Sequence, residues 1–303
     1  MITPVERADA RIATARVDTE AGVKLSVVIV SYKNSAVLYD CLDSILKFND
    51  IGGALEVIVV EQSPEGDLYE GLRRDYPWVV TLRHENRGFG AGNNAGARVA
   101  NGRYLLFLNP DTVLVEPVFG FAIEKFEADS ELGLFGVRLV DADGNRNQSF
   151  YFRKPYGLLR GSVLWRICDR FDWFMPRAMY ITGADMFVTA QALRTMGGFD
   201  ERMFMYFEET YFCERLDDLG LRIGYFPEKR IVHLEGKSGG GVEKFRRQLE
   251  SLEVLCEDLQ LDYYRILCKM AFDRKVKSML GSAGDIRRGE IEEIERRLRE
   301  RGK

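Results

Sequence analysis

Two adjacent carboxylates, Glu208 and Glu209, follow the aromatic run Phe204-Met205-Tyr206-Phe207 and open a segment of helical spacing. A carboxylate half-buried at such a place holds a raised pKa and can take a proton from a hydroxyl. The ordinary alternative is that acidic residues favour a helix N-terminus through its macrodipole, and one of the two is expected there for that reason. A third carboxylate, Asp111, closes Asn109-Pro110-Asp111 directly after the apolar run 104–108, where the alternative is a turn residue. Ser31-Tyr32-Lys33-Asn34 and Glu61-Gln62-Ser63 stand in the same position after two further apolar runs. Glycines cluster between Asn86 and Gly96, in a run that either presents helix N–H groups to a ligand or lets a helix pack tightly on a sheet.

Residues that follow strands carry chemistry in open α/β sheets, because ligands sit at the strands' carboxyl ends. Residues 25–30 and 57–60 are β-branched runs too short for helices and suited to strands buried on both faces. Between them Val37, Leu38, Cys41, Leu42, Ile45 and Leu46 keep helical spacing up to Gly52-Gly53. The alternation continues with helices near 67–76 and 91–100 and strands near 78–82 and 104–108, which predicts a doubly wound α/β sheet. Farther on, the pattern predicts helices at 118–128 and from about 208 to 219, and strands at 134–140, 186–189 and 223–226. The aromatic, basic segment 150–177 resists assignment. Residues 242–276 keep an apolar stripe, as one long helix or a helix pair, and 285–303 form a charged tail. The expected organisation is a polar segment over 1–22, a main domain over 23–241 and a helical extension over 242–303.

The 303 residues carry 43 Lys and Arg against 47 Asp and Glu, a net charge of −4, which offers no basic field to nucleic acid. The 5 cysteines are scattered without a Cys-x-x-Cys pair, which predicts reduced thiols rather than a disulfide framework or a zinc site. With no apolar leader and no apolar run of about 18 residues, the expected compartment is the cytoplasm. No Gly-x-Gly-x-x-Gly turn follows the first strand and no P-loop spacing occurs, which argues against a dehydrogenase or a P-loop enzyme.

Taken together, the segments 27–32, 57–61, 86–96 and 108–111, the pair Gly183-Ala184, the segments 197–201 and 204–209, and His233 resemble the family 2 glycosyltransferases in order and spacing. Within them the chain is most similar to the bacterial rhamnosyltransferase-like branch. The resemblance covers about residues 24–238. It implies a GT-A fold with a Rossmann-like, mostly parallel sheet, a nucleoside-diphosphate sugar donor, Mg2+ or Mn2+, and inversion at the anomeric carbon. Asp111 is implied as the metal carboxylate, which neutralises a leaving diphosphate through the ion. Asn109 fills the first position of the family's Asp-x-Asp with an amide, and His233 completes the metal site, better for Mn2+ than for Mg2+. Glu209 is implied as general base with Glu208 in reserve, while Tyr211 stands where the family often has a further acidic residue.

On the donor side, the resemblance puts Glu61 where an aspartate usually accepts from a pyrimidine imide. Ser31 and Tyr32 line the base and ribose, and Asn86, Arg87 and Gly88 approach the nucleotide or its phosphates. Lys237 and Ser238, in the run Gly236 to Gly241, read as a lid over the diphosphate or as a linker. Asp185 reads as an acceptor contact or as a structural carboxylate. The expected reaction moves a sugar, rhamnose as first choice, from dTDP or UDP to a hydroxyl of a growing bacterial surface glycan or lipid-linked glycan. The rivals are a sugar-nucleotide-forming enzyme and a non-catalytic nucleotide-sugar-binding protein on the same fold. The aromatic segment suits sugar rings or lipid carriers. The C-terminal helices suit a homodimer or a peripheral position at the inner face of the membrane, and their balanced charge favours pairing.

Overall fold

The structure is a computed structural model that describes residues 22–33, 35–63, 68–153, 158–234, 241–279 and 284–301. Lys237, Ser238 and nearly all of the polar N-terminal segment lie outside these residues. Strands β1 (Leu25–Ser31), β2 (Leu55–Glu61), β3 (Val80–Arg83) and β4 (Tyr104–Leu108) run parallel in the order β3-β2-β1-β4. Helices α1 (Ser35–Lys47), α2 (Leu68–Asp75) and α3 (Phe89–Val99) make the crossovers. The chain continues through β5 (Thr112–Leu114), α4 (Phe119–Ala128), β6 (Leu132–Val140), β7 (Phe150–Phe152), α5 (Leu158–Arg170), β8 (Met179–Ile181), β9 (Asp185–Thr189) and α6 (Ala190–Met196). It ends with α7 (Glu208–Asp218), β10 (Arg222–His233), α8 (Val242–Asp258), α9 (Tyr263–Met279) and α10 (Gly284–Arg301).

The main sheet extends beyond β4 in the order β9-β6-β10-β5, and β7 pairs with β8 in a separate ladder. Two strands depart from the parallel winding: β9 is antiparallel to both β4 and β6, and β5 is antiparallel to β10. The apolar runs are explained by burial on both faces. Val27 and Ile29 pack with α1 and α4, whereas Val28 packs on the opposite layer with α3, α6 and α7. Each such side chain contributes about 1.5–3 kcal/mol of transfer free energy. Gly92 and Gly96 let α3 lie directly on β1, since a Cβ on either would enter the Val30 or Val28 side chain.

The segment that resisted assignment holds β7 and α5, separated by residues outside those described. The stretch from 242 is a helix pair, α8 and α9, and the charged tail is a helix of 18 residues. These three helices share an apolar cluster that also takes in Met203, Phe207 and Tyr211 from the main domain. Cys41, Cys168, Cys213 and Cys256 are buried and Cys268 is exposed, all as free thiols.

Candidate active site

The parallel register sets Ser31 beside Glu61 at the carboxyl ends of β1 and β2. Both are buried, at 0% and 4% exposure, yet Ser31 Oγ and Glu61 Oε2 have no hydrogen-bond partner. The other carboxylate oxygen of Glu61 accepts from Ser63 N–H at 2.6 Å. Two orphaned polar atoms side by side at a strand end fit a polar ligand, because leaving them unmet costs about 1–3 kcal/mol each. Tyr32, at 40% exposure, is not a core residue and carries the Lys33 ammonium 5.2 Å from its ring centroid.

The glycine run bends into α3 at Gly88, whose φ of 104° a side chain would strain. Asn86 Oδ1 accepts from Gly88 N–H at 3.3 Å, and Gln62 Nε2 donates to Gly88 O at 3.3 Å. The first helical N–H is not open to a ligand: Phe89 N–H donates to Phe204 O at 3.0 Å. Arg87 is exposed and pairs with Glu201 at 3.5 Å. Asn94, a residue that composition and spacing did not single out, accepts from Phe199 N–H at 2.8 Å and donates to Phe199 O at 2.9 Å. It thereby clamps the loop that leads to the paired glutamates.

Asn109, Pro110 and Asp111 form a turn closed by Thr112, whose N–H and Oγ1 both donate to Asn109 O, at 3.3 and 2.7 Å. β5 starts there and runs antiparallel to the end of β10, pairing Thr112 with His233. Asp111 Oδ1 and His233 Nε2 consequently approach to 3.3 Å. A carboxylate and an imidazole so placed fit a divalent cation that takes its other ligands from phosphates and water. Among the described residues no group of three His, Cys, Asp or Glu could hold a metal by itself.

Glu208 and Glu209 open α7 after Tyr206 and Phe207, which both have positive φ, 74° and 68°. Glu208 is 3% exposed and its Oε2 has no partner, whereas Glu209 is half-buried and its Oε1 accepts from Gly183 N–H at 3.1 Å. Burial, reinforced by the Glu209 charge, pushes Glu208 well above the usual carboxylate range; burial also raises Glu209. Glu209, with its bond from Gly183, is the first of the pair to ionise. Arg153 ties β8 to the C-terminal part of α7, donating to Met179 O at 2.9 Å and to Asp217 at 2.5 Å. α8 steadies the preceding loop, with Ser251 Oγ donating to Met205 O at 2.9 Å and the Arg247 guanidinium 4.0 Å from the Phe204 ring centroid.

Of the two readings of Asp185, acceptor contact and structural carboxylate, its surroundings fit the second. It has 0% exposure, its Oδ2 accepts from Val137 N–H at 2.7 Å, and the structure assigns it to holding β9 on β6. The nucleotide-side residues, the Asp111–His233 pair and Glu209 are otherwise brought to one edge of the sheet. Asn109 N–H donates to Ala184 O at 3.0 Å, one residue from the Gly183 amide that holds Glu209. A cavity of about 760 Å³ lined by Arg103, Tyr104 and Thr189 opens at the opposite strand ends, away from these groups.

Relatives of known type bear on this arrangement. Uncharacterized glycosyltransferase YfnE of Bacillus subtilis is 30% identical over 138 residues, 44% of this chain and 33% of that protein. Rhamnosyltransferase WbbL of Escherichia coli is 23% identical over 191 residues, 58% of this chain and 72% of that protein. The chain therefore spans about a third of the length of YfnE. A solved structure of the mannosyltransferase PcManGT from Pyrobaculum calidifontis, in complex with GDP-Man and Mn2+, superposes with a TM-score of 0.57 at 16% identity, covering 92% of this chain and 84% of that one. The shared fold is GT-A. The family model described as Glycosyl transferase family 2 matches residues 26–181, over half of the chain, and the chain belongs to that family.

Proposed function

We propose that the chain is an inverting, metal-dependent glycosyltransferase that moves a hexose from a nucleoside diphosphate to an acceptor hydroxyl. The observation that carries the reading is the link between the Asn109–Asp111 turn and Glu209 through the Gly183-Ala184 backbone. It supports a diphosphate site and a base held close together at one edge of the sheet. Ser31 and Glu61 receive the nucleobase on their unpartnered oxygens, and Tyr32 packs against the base or ribose. Asn86, Arg87, Gly88 and Asn109 border the nucleotide and its phosphates. Asp111 and His233 would hold Mg2+ or Mn2+, which when bound supplies charge neutralisation to the leaving diphosphate. Glu209 takes the acceptor proton as that oxygen attacks the sugar from the face opposite the diphosphate. Glu208, buried beside it, is pushed up by burial and by the Glu209 charge, so it holds a proton more readily than Glu209 does.

The donor is proposed as a dTDP or UDP sugar, rhamnose first, because the unpartnered Glu61 oxygen suits a pyrimidine imide and WbbL is named a rhamnosyltransferase. The proposed acceptor is a bacterial surface or lipid-linked glycan. Calorimetric titration with TDP, UDP and GDP, with and without Mn2+, tests the donor site. The expected result is Mn2+-dependent binding of TDP or UDP that Asp111→Ala abolishes; absence of binding to all three nucleotides would sink the reading.

A further inference from the structure

Away from this site, α5 presents a face that no described part of the chain covers. Cys168, 3% exposed, and Trp165, whose Nε1–H donates to Phe150 O at 2.8 Å, turn one side of the helix into the core. On the other side Val163 is 61%, Leu164 46% and Ile167 43% exposed. Phe171, at 60%, extends the same arc, and its N–H donates to Ile167 O at 3.2 Å, continuing the helical turn. Trp173, at 59%, stacks on Phe171 with ring centroids 5.2 Å apart. At about 100° per residue, Arg166 and Arg170 fall along one edge of this apolar arc.

Arg166, Arg170 and Arg177 are exposed and make no ion pair among the described residues. The nearby Asp172 cannot serve them, because Arg138 and Arg146 already hold it at 2.5 and 2.7 Å. An apolar strip with aromatic rings and a cationic edge has the build of a helix that lies in a lipid headgroup layer. A second copy of the chain fits less well, since a two-fold contact would set the same cations against one another. α5 packs on β7, β7 pairs with β8, and two residues beyond β8 the Gly183 amide holds Glu209.

We propose that α5 and the Phe171–Trp173 turn dock the protein on an anionic bilayer surface. The further step, that docking brings the site to a lipid-linked acceptor, rests on the glycosyltransferase reading; the docking itself does not. The test is flotation of the full-length protein with vesicles of phosphatidylcholine alone and of phosphatidylcholine mixed with phosphatidylglycerol. Binding to the mixed vesicles is expected, falling about tenfold in Ile167→Glu/Phe171→Glu and weakening with salt in the parent protein. Arg166→Gln/Arg170→Gln should lose the preference for the anionic vesicles. Circular dichroism and transfer to a water-soluble acceptor should stay unchanged in both variants. Failure to bind either vesicle, or undiminished binding by the Ile167/Phe171 variant, overturns the proposal. A dimer in light scattering that the same variant dissociates overturns it in favour of self-association. Loss of transfer by the parent protein with intact vesicle binding would instead count against the glycosyltransferase reading.

Discussion

Glu209 stands between two opposed influences: burial raises its pKa, while the bond from Gly183 N–H favours the ionised form that can accept a proton. Glu209→Gln keeps the shape and the acceptor for Gly183 and removes the basicity. Transfer is expected to fall by about 10²–10⁴-fold with nucleotide affinity unchanged, as steady-state kinetics and calorimetry would show. Because burial raises its pKa above the ordinary 4.5, the acid limb of the kcat profile should lie above that value, with activity lost as pH falls through it. A limb at or below 4.5 would transfer the role to another group. The identity of this pair was legible as a motif, but the division between its members was not. That division depends on Gly183, which is 26 residues away in sequence.

At the scale of the element, β9 pairs with β6 only at Leu134–Val188 and Phe135–Phe187, and the Asp185 carboxylate supplies the next rung by accepting from Val137 N–H. Its other oxygen is buried without a partner, and burial raises its pKa well above 3.8. The group binds its proton more tightly folded than unfolded. Its contribution is therefore full below pH 3.8 and is lost as pH rises through the folded value. Asp185→Asn keeps the rung without the titration, so its thermal stability should gain on the parent's as pH rises from mildly acid to alkaline. A constant difference across that range would show that Asp185 does not titrate there. No local pattern announces this strand's direction: the short apolar run Met186–Val188 fits either orientation, and the choice lies in its distant partners. β1, β2 and β4 were legible because both of their faces are buried. β5, with three residues, fell below any periodic signal, and β10 read short because its register slips between Phe226 and Arg230.

For the molecule as a whole, the helical extension from residue 242 packs on the main domain through a shared apolar cluster. Met203, fully buried, and Phe207 and Tyr211 share one apolar cluster with α8, α9 and α10. Truncation after Gly241 would expose that cluster and free the loop before Glu208. The expected outcome is a lower melting temperature and loss of transfer; a truncated chain of unchanged activity would show the bundle to be dispensable. The sequence displayed the helical stripe but not what it packs against, since Met203 and Tyr211 lie about thirty to forty residues upstream of its start.

The reversal of β9 has one more consequence. β6 ends at Val140 and β9 begins at Asp185, and because the two run antiparallel both points lie at the same edge of the sheet as the Asn109–Asp111 turn. Everything between them, including β7, α5 and β8, is an excursion that leaves the sheet and returns beside its point of departure. Such an excursion can lengthen or shorten without altering strand order, provided that Gly183 and Ala184 keep their bonds to Glu209 and Asn109. The fold thus keeps Ser31, Glu61 and the Asn109–Asp111 turn on the strand ends of the sheet, and sets β7, α5 and β8 on a segment that can change apart from them.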